Sequence, residues 1–230
     1  MELQKFWTKF AGLAFVSFSL NHAALAINPP GTTSTNNFSV GQTIPDNTPS
    51  GLTETQTLDF SGTGLVSITD IEVTLNISGG FNGDYYGYLV HNDGFAILLN
   101  RVGRTSTDTL GYGDSGLNIT LESGANDIHT YQTEFNPGGV ALTGLWDVDG
   151  RNVDPQTVTD TDPRTATLGS FVGQDPSGQW TLFLADVHPG SEGQLVNWGL
   201  VITSVPEPGT LALLALGLSG VVVASLRRRG

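Results

Sequence analysis

The sequence predicts an all-β chain, a β-sandwich framed by an apolar export segment at each end. Three observations carry that expectation. Apolar side chains recur with a period of two, as where Ile71, Val73, Leu75 and Ile77 alternate with Glu72, Thr74 and Asn76. Thirty glycines, with turn signals such as Asn92-Asp93-Gly94, cut that pattern into short runs. Between the two apolar ends no stretch shows a capped helical periodicity.

Met1 to Ala26 carries Lys5 and Lys9, an apolar stretch from Phe10 to Leu20, and Ala24-Leu25-Ala26 as a small-residue cleavage site. That is the pattern of a secretory signal peptide, which lies outside the fold. Residues 27–56 are rich in Pro, Gly, Thr, Ser and Asn. Phe38, Val40, Ile44 and Leu52 are too sparse there for a core. The expectation is a flexible leader, contributing at most an edge strand around Asn37 to Val40.

Residues 57–203 form the expected domain. Ser67 to Ser78 reads as a half-buried strand, and Gly79 to Asp84 as a turn. Tyr85 to His91 returns, Phe95 to Leu99 follows the Asn92-Asp93-Gly94 turn, and Leu117, Ile119 and Leu121 mark another strand. Gly178 to Asp186 and Leu195 to Ile202 close the domain, with Val196, Trp198, Leu200 and Ile202 on one face of the last strand. Trp180 and Trp198, on adjacent strands, are expected as core anchors, since a buried indole removes more than about 100 Å² from water.

The exported part is strongly acidic. Between residues 27 and 204 stand four arginines, no lysine and 20 acidic residues, a net charge of −16. Nucleic acid is excluded as a partner by that charge, and cations are favoured. The chain has no cysteine. Thiol catalysis and cysteine-ligated metals are excluded, and an exported fold must hold without disulfides.

Residues 204–230 are a tail of three parts. Val205-Pro206-Glu207-Pro208 is followed by the uncharged run 209–226, then by Arg227, Arg228 and Arg229. As a helix the run would reach about 27 Å, close to the hydrocarbon thickness of a bilayer. The arginines would remain cytoplasmic as a membrane stop. The Pro206-Glu207-Pro208 triplet, apolar span and terminal arginines together resemble the PEP-CTERM sorting signal. The resemblance implies export in a Gram-negative bacterium, a membrane-anchored precursor, processing by an exosortase, and delivery to the cell surface or extracellular matrix.

The closing strands resemble the P/Homo B domain that follows the catalytic domain in proprotein convertases. The residues that carry the likeness are Gly178, Trp180, Thr181, Leu182, Asp186, Gly193, Trp198 and Leu200, with Asn82-Gly83-Asp84-Tyr85 and Ala166 to Gly173 upstream. The resemblance spans roughly Thr57 to Thr203 and implies a jelly roll. Two departures stand out: Gly80 or its neighbour replaces a histidine common before the first turn, and Gly124 to Arg164 is longer and more polar.

Chemistry is sparse. The mature chain has three histidines, His91, His129 and His188, with no Gly-x-Ser-x-Gly elbow and no paired metal-binding histidines. No catalysis is expected. Calcium is the cofactor to test, because it takes loop carboxylates. The candidate ligands are Asp84 and Asp186 at strand–loop junctions, and a second set of Asp147, Asp149, Asn152 and Asp154; turn chemistry explains either set equally well. The functional expectation is a structural or adhesive surface protein in contact with extracellular polysaccharide or a surface protein. Two alternatives stand beside it. One is a carbohydrate-binding module with Tyr85, Tyr86 and Tyr88 exposed on one face. The other is an accessory domain for a separately encoded subtilisin-like protease.

Overall fold

The computed structural model describes residues 31–63 and 65–206. The expected signal peptide, the apolar span 209–226 and Arg227 to Arg229 lie outside the described residues. Among those described, no helix is long and apolar enough to cross a membrane.

The described residues form nine strands in two sheets, with short 3₁₀ turns between them. One sheet runs β1 (Thr32–Ile44), β9 (Gly193–Pro206), β3 (Leu65–Gly79), β6 (Leu117–Leu121) and β7 (Leu142–Trp146). The other runs β2 (Leu52–Leu58), β8 (Gly178–Asp186), β4 (Tyr85–His91) and β5 (Gly94–Asn100). All pairings are antiparallel except β6 with β7. The period-two pattern sets the inner faces. Ile71, Val73, Leu75 and Ile77 of β3 are buried, and Leu182 and Leu184 of β8 join them in one hydrophobic core.

The leader is corrected by the structure. Its described part is not flexible: β1 is a 13-residue strand and β2 begins at Leu52. β1 pairs with β9 from Thr32 opposite Ser204 to Ser39 opposite Asn197. β2 pairs with β8 along its whole length. Both are edge strands, so each needs one partner and little apolar surface. Backbone pairing to a neighbour distant in sequence defines them, which composition does not reveal. The expected edge strand around Asn37 to Val40 is the centre of β1, where Phe38 packs its ring 4.8 Å from Trp198.

The tryptophans are a second correction. Both are fully buried, yet Trp180 lies on β8 and Trp198 on β9, in opposite sheets. β8 and β9 cross from one sheet to the other and do not pair. The face of β9 also differs from strict alternation. A bulge at Val196, opposite the step from Asn76 to Ile77, brings Leu195 into the core and leaves Val196 half-buried.

Glycine is required where β3 ends. Tyr85 is fully buried with its hydroxyl donating to the Gly79 carbonyl at 2.9 Å. A Cβ at Gly80 would stand 1.9 Å from that hydroxyl oxygen, and one at Gly193 2.0 Å from it. These glycines make the space that pins β4 against the far sheet.

Candidate functional site

The 3₁₀ turn Asn82–Asp84 delivers Asp84 to the start of β4, and Asp186 ends β8. β4 and β8 pair with Tyr85 opposite Asp186, and the Val187 amide donates to the Asp84 carbonyl at 2.9 Å. The two aspartates therefore meet at one end of the molecule, both buried. Beside Asp84 stands a residue the sequence did not flag. Arg101, just beyond β5, takes a left-handed φ of 50° and is 1% exposed. Its guanidinium donates to the carbonyls of Gly83, Thr109 and Leu110, and stands 3.8 Å from Asp84 Oδ1. His188 Nδ1 lies 3.6 Å from the same oxygen.

Burial, then the Asp186 charge, push the Asp84 carboxyl up to about 6, against the opposing pull of Arg101 and His188. Burial likewise raises Asp186, although the His188 amide donates to its Oδ1 at 3.2 Å. Asp186 Oδ2 is buried without a hydrogen-bond partner. Calcium takes about six to eight oxygens. This site offers the carboxylates of Asp84 and Asp186, with Asp46 nearby and a guanidinium 3.8 Å from Asp84. No group of three or more His, Cys, Asp or Glu gathers as a metal site among the described residues.

The second candidate set is not brought together as a metal site either. Asp147 Oδ2 meets Arg164 at 3.0 Å, and Asp149 accepts from His129 at 2.7 Å and faces Arg151 at 3.4 Å. Asn152 and Asp154 are exposed, and Asp154 accepts from the Gln156 amide at 2.8 Å, as a turn residue does. Guanidinium groups thus occupy the place of a metal. Arg151 also donates to Asp127 at 2.8 Å and to the Asp160 carbonyl at 2.9 Å. His129 has both ring nitrogens on acceptors, the Asp149 carboxylate and the Arg104 carbonyl at 2.9 Å. Burial alone would lower its pKa; the Asp149 carboxylate outweighs this and raises it. A charge-poor cation count was the signal for this network: with only four arginines in an acidic domain, none is surplus.

Of the three tyrosines proposed as a sugar platform, Tyr85 is buried in the core, whereas Tyr86 and Tyr88 are half-buried on the outer side of β4. There Tyr88 stacks on Phe183 at 4.8 Å and 17°. Pro206 is the last residue of β9, paired with Leu65; Glu207 and Pro208 lie outside the described residues.

Comparison with known proteins bears on the later part of the domain and on the tail. The family model of the PEP-CTERM protein-sorting motif matches residues 204–229, and that of the proprotein convertase P-domain matches residues 139–202. No curated protein matches the chain. Among solved structures, the serine protease of Aeromonas sobria is similar at 16% identity and a TM-score of 0.42, over 76% of this chain and 27% of that one. Its complex with a chaperone gives 15% identity and the same TM-score, over 77% and 27%. The chain thus spans about a quarter of those protease chains. A solved structure of Desmodium yellow mottle tymovirus has a TM-score of 0.17 at 14% identity, over 91% of this chain and all of that one. The motif indicates an exported precursor, anchored in the membrane and sorted to the cell surface. The chain carries a proprotein convertase P-domain match in its closing strands and ends in a PEP-CTERM protein-sorting motif.

Proposed function

We propose that this chain is an exosortase-processed protein of the cell surface or extracellular matrix, with a structural or adhesive role and no catalysis. The observation that carries the reading is the sorting motif at residues 204–229. The fold supports it in one respect: β9 runs directly into the motif, since Pro206 both ends the strand and opens the Pro-Glu-Pro triplet. The domain stands at the sorting segment without a linker. The non-catalytic part rests on the P-domain match over residues 139–202.

A second reading, an accessory domain for a separately encoded subtilisin-like protease, is favoured by the P-domain match over residues 139–202. The sorting reading is tested by replacing Pro206-Glu207-Pro208 with alanines in a host with active exosortase. The expected result is an inserted precursor that fails to mature. Maturation at the normal rate would overturn the reading. Co-purification of a subtilisin-like protease with the mature form would favour the second.

A further inference from the structure

A pocket of about 250 Å³ opens beside the aspartate pair. Phe81, Leu110, Tyr112 and Pro189 form its apolar walls, and Asp84 and His188 its polar end. The Asp84 side chain is only 5% exposed, and both of its cationic neighbours approach Oδ1, at 3.8 and 3.6 Å. Neither carboxylate oxygen accepts a hydrogen bond shorter than those contacts among the described residues. Behind it, Asp186 Oδ2 is buried and unpaired. Asp84, Asp186 and the nearby Asp46 face one arginine and one histidine, so the end of the pocket is short of positive charge.

We propose that this pocket receives the lysine side chain of a protein partner, its ammonium on Asp84 and its methylene stem between Phe81, Leu110, Tyr112 and Pro189. An apolar wall ending in a carboxylate whose cationic neighbours both approach Oδ1 and leave Oδ2 for a guest matches a side chain that buries its stem and carries its charge at the tip. An anion would meet two carboxylates, and calcium would find one lining carboxylate where it needs several oxygens. A glycan would leave hydroxyls unpaired against apolar walls. Arginine binds best with both carboxylate oxygens in a fork, and Oδ1 is already engaged. Residues 27–230 contain no lysine, so the side chain is assigned to another protein and not to the folded part of a second copy. The net charge of −16 over residues 27–204 draws in basic partners.

The test is calorimetric titration of the full chain in detergent with Nα-acetyl-lysine methylamide, its Nζ-acetylated derivative, the arginine analogue and calcium chloride. The lysine compound is expected to bind at least tenfold more tightly than the acetylated and arginine compounds. Asp84→Asn should lose at least tenfold in affinity. Leu110→Ser, at a position 59% exposed, should weaken binding about threefold without changing the melting temperature. Equal binding of the acetylated compound, or of the arginine analogue, would overturn the assignment. So would displacement of lysine by calcium that a chelator reverses. If Asp84→Asn does not fold, the probe series and Leu110→Ser decide the matter.

Discussion

Asp84 shows how one carboxyl is shaped by its surroundings. Its ordinary pKa of 3.8 is raised to about 6, first by burial and then by Asp186. A carboxyl that binds its proton more tightly when folded stabilises the fold below its unfolded value. That contribution is lost as pH rises through the folded value. Here the window lies between about pH 4 and 7, and Asp186 shifts in the same direction. Asp84→Asn, a neutral mimic of the protonated acid, should raise the melting temperature at pH 7.5 and leave it nearly unchanged at pH 4.5. An equal shift at both values would show that the effect is not electrostatic. His129 acts in the same sense. Its raised pKa means that its ion pair with Asp149 stabilises below the unfolded value of 6.5 and fades as pH climbs above the folded one. That Asp84 and Asp186 each stand where a strand meets a loop was legible; that they meet depends on the pairing of β4 with β8. Arg101 beside Asp84 was not legible, since its aim depends on a left-handed turn that residue spacing does not report.

Strands with apolar alternation, such as β3, β6 and β8, were readable because one wet and one dry face impose a period of two. β1 and β2 were not, since an edge strand of threonine, serine and asparagine carries the composition of a linker. A fragment starting at residue 57, where the sequence placed the domain boundary, lacks all of β1 and most of β2. It would expose the outer backbone of β8 and β9 and strip Phe38 from Trp198. That fragment should give no cooperative melt, whereas one starting at residue 31 should melt sharply. A cooperative transition in the shorter fragment would return the leader to the role of a linker. The same ladder sets the expectation for the tryptophans. Trp198→Ala and Trp180→Ala each empty a fully buried site, at a typical cost of about 3–5 kcal/mol for such a truncation. Because the two rings belong to different sheets, each loss weakens its own sheet as well as the shared core. An unchanged melting temperature for either variant would place that ring outside the core.

At the scale of the whole molecule, the four arginines take the place that disulfides hold in many exported domains. Arg101 ties the segment around Thr109 and Leu110 to Gly83, Arg104 reaches the Val158 carbonyl, Arg151 reaches Asp149 and Asp160, and Arg164 reaches Val148 and Asp149. Every arginine of the domain therefore binds backbone carbonyls of irregular segments, and none is left as a surface charge alone. The acidic run from Asp147 to Asp154 looked like a cation site because its counter-charges are remote in sequence, at Asp127, His129 and Arg164, or hidden within it, at Arg151. If guanidinium groups and not a metal hold these loops, melting should be the same in millimolar calcium and in chelator at constant ionic strength. Arg151→Met should be strongly destabilising. It removes one of two charged partners of the fully buried Asp149, His129 being the other, together with the 2.8 Å partner of Asp127, and breaking buried pairs costs up to about 3–5 kcal/mol. A domain has about 5–15 kcal/mol in total, so the variant should melt many degrees lower. Limited proteolysis should then cut between residues 147 and 167 before it cuts the sheets. A calcium-dependent melt of the wild-type chain, or an Arg151→Met variant with unchanged melting and cleavage, would show that something other than these arginines secures the loops.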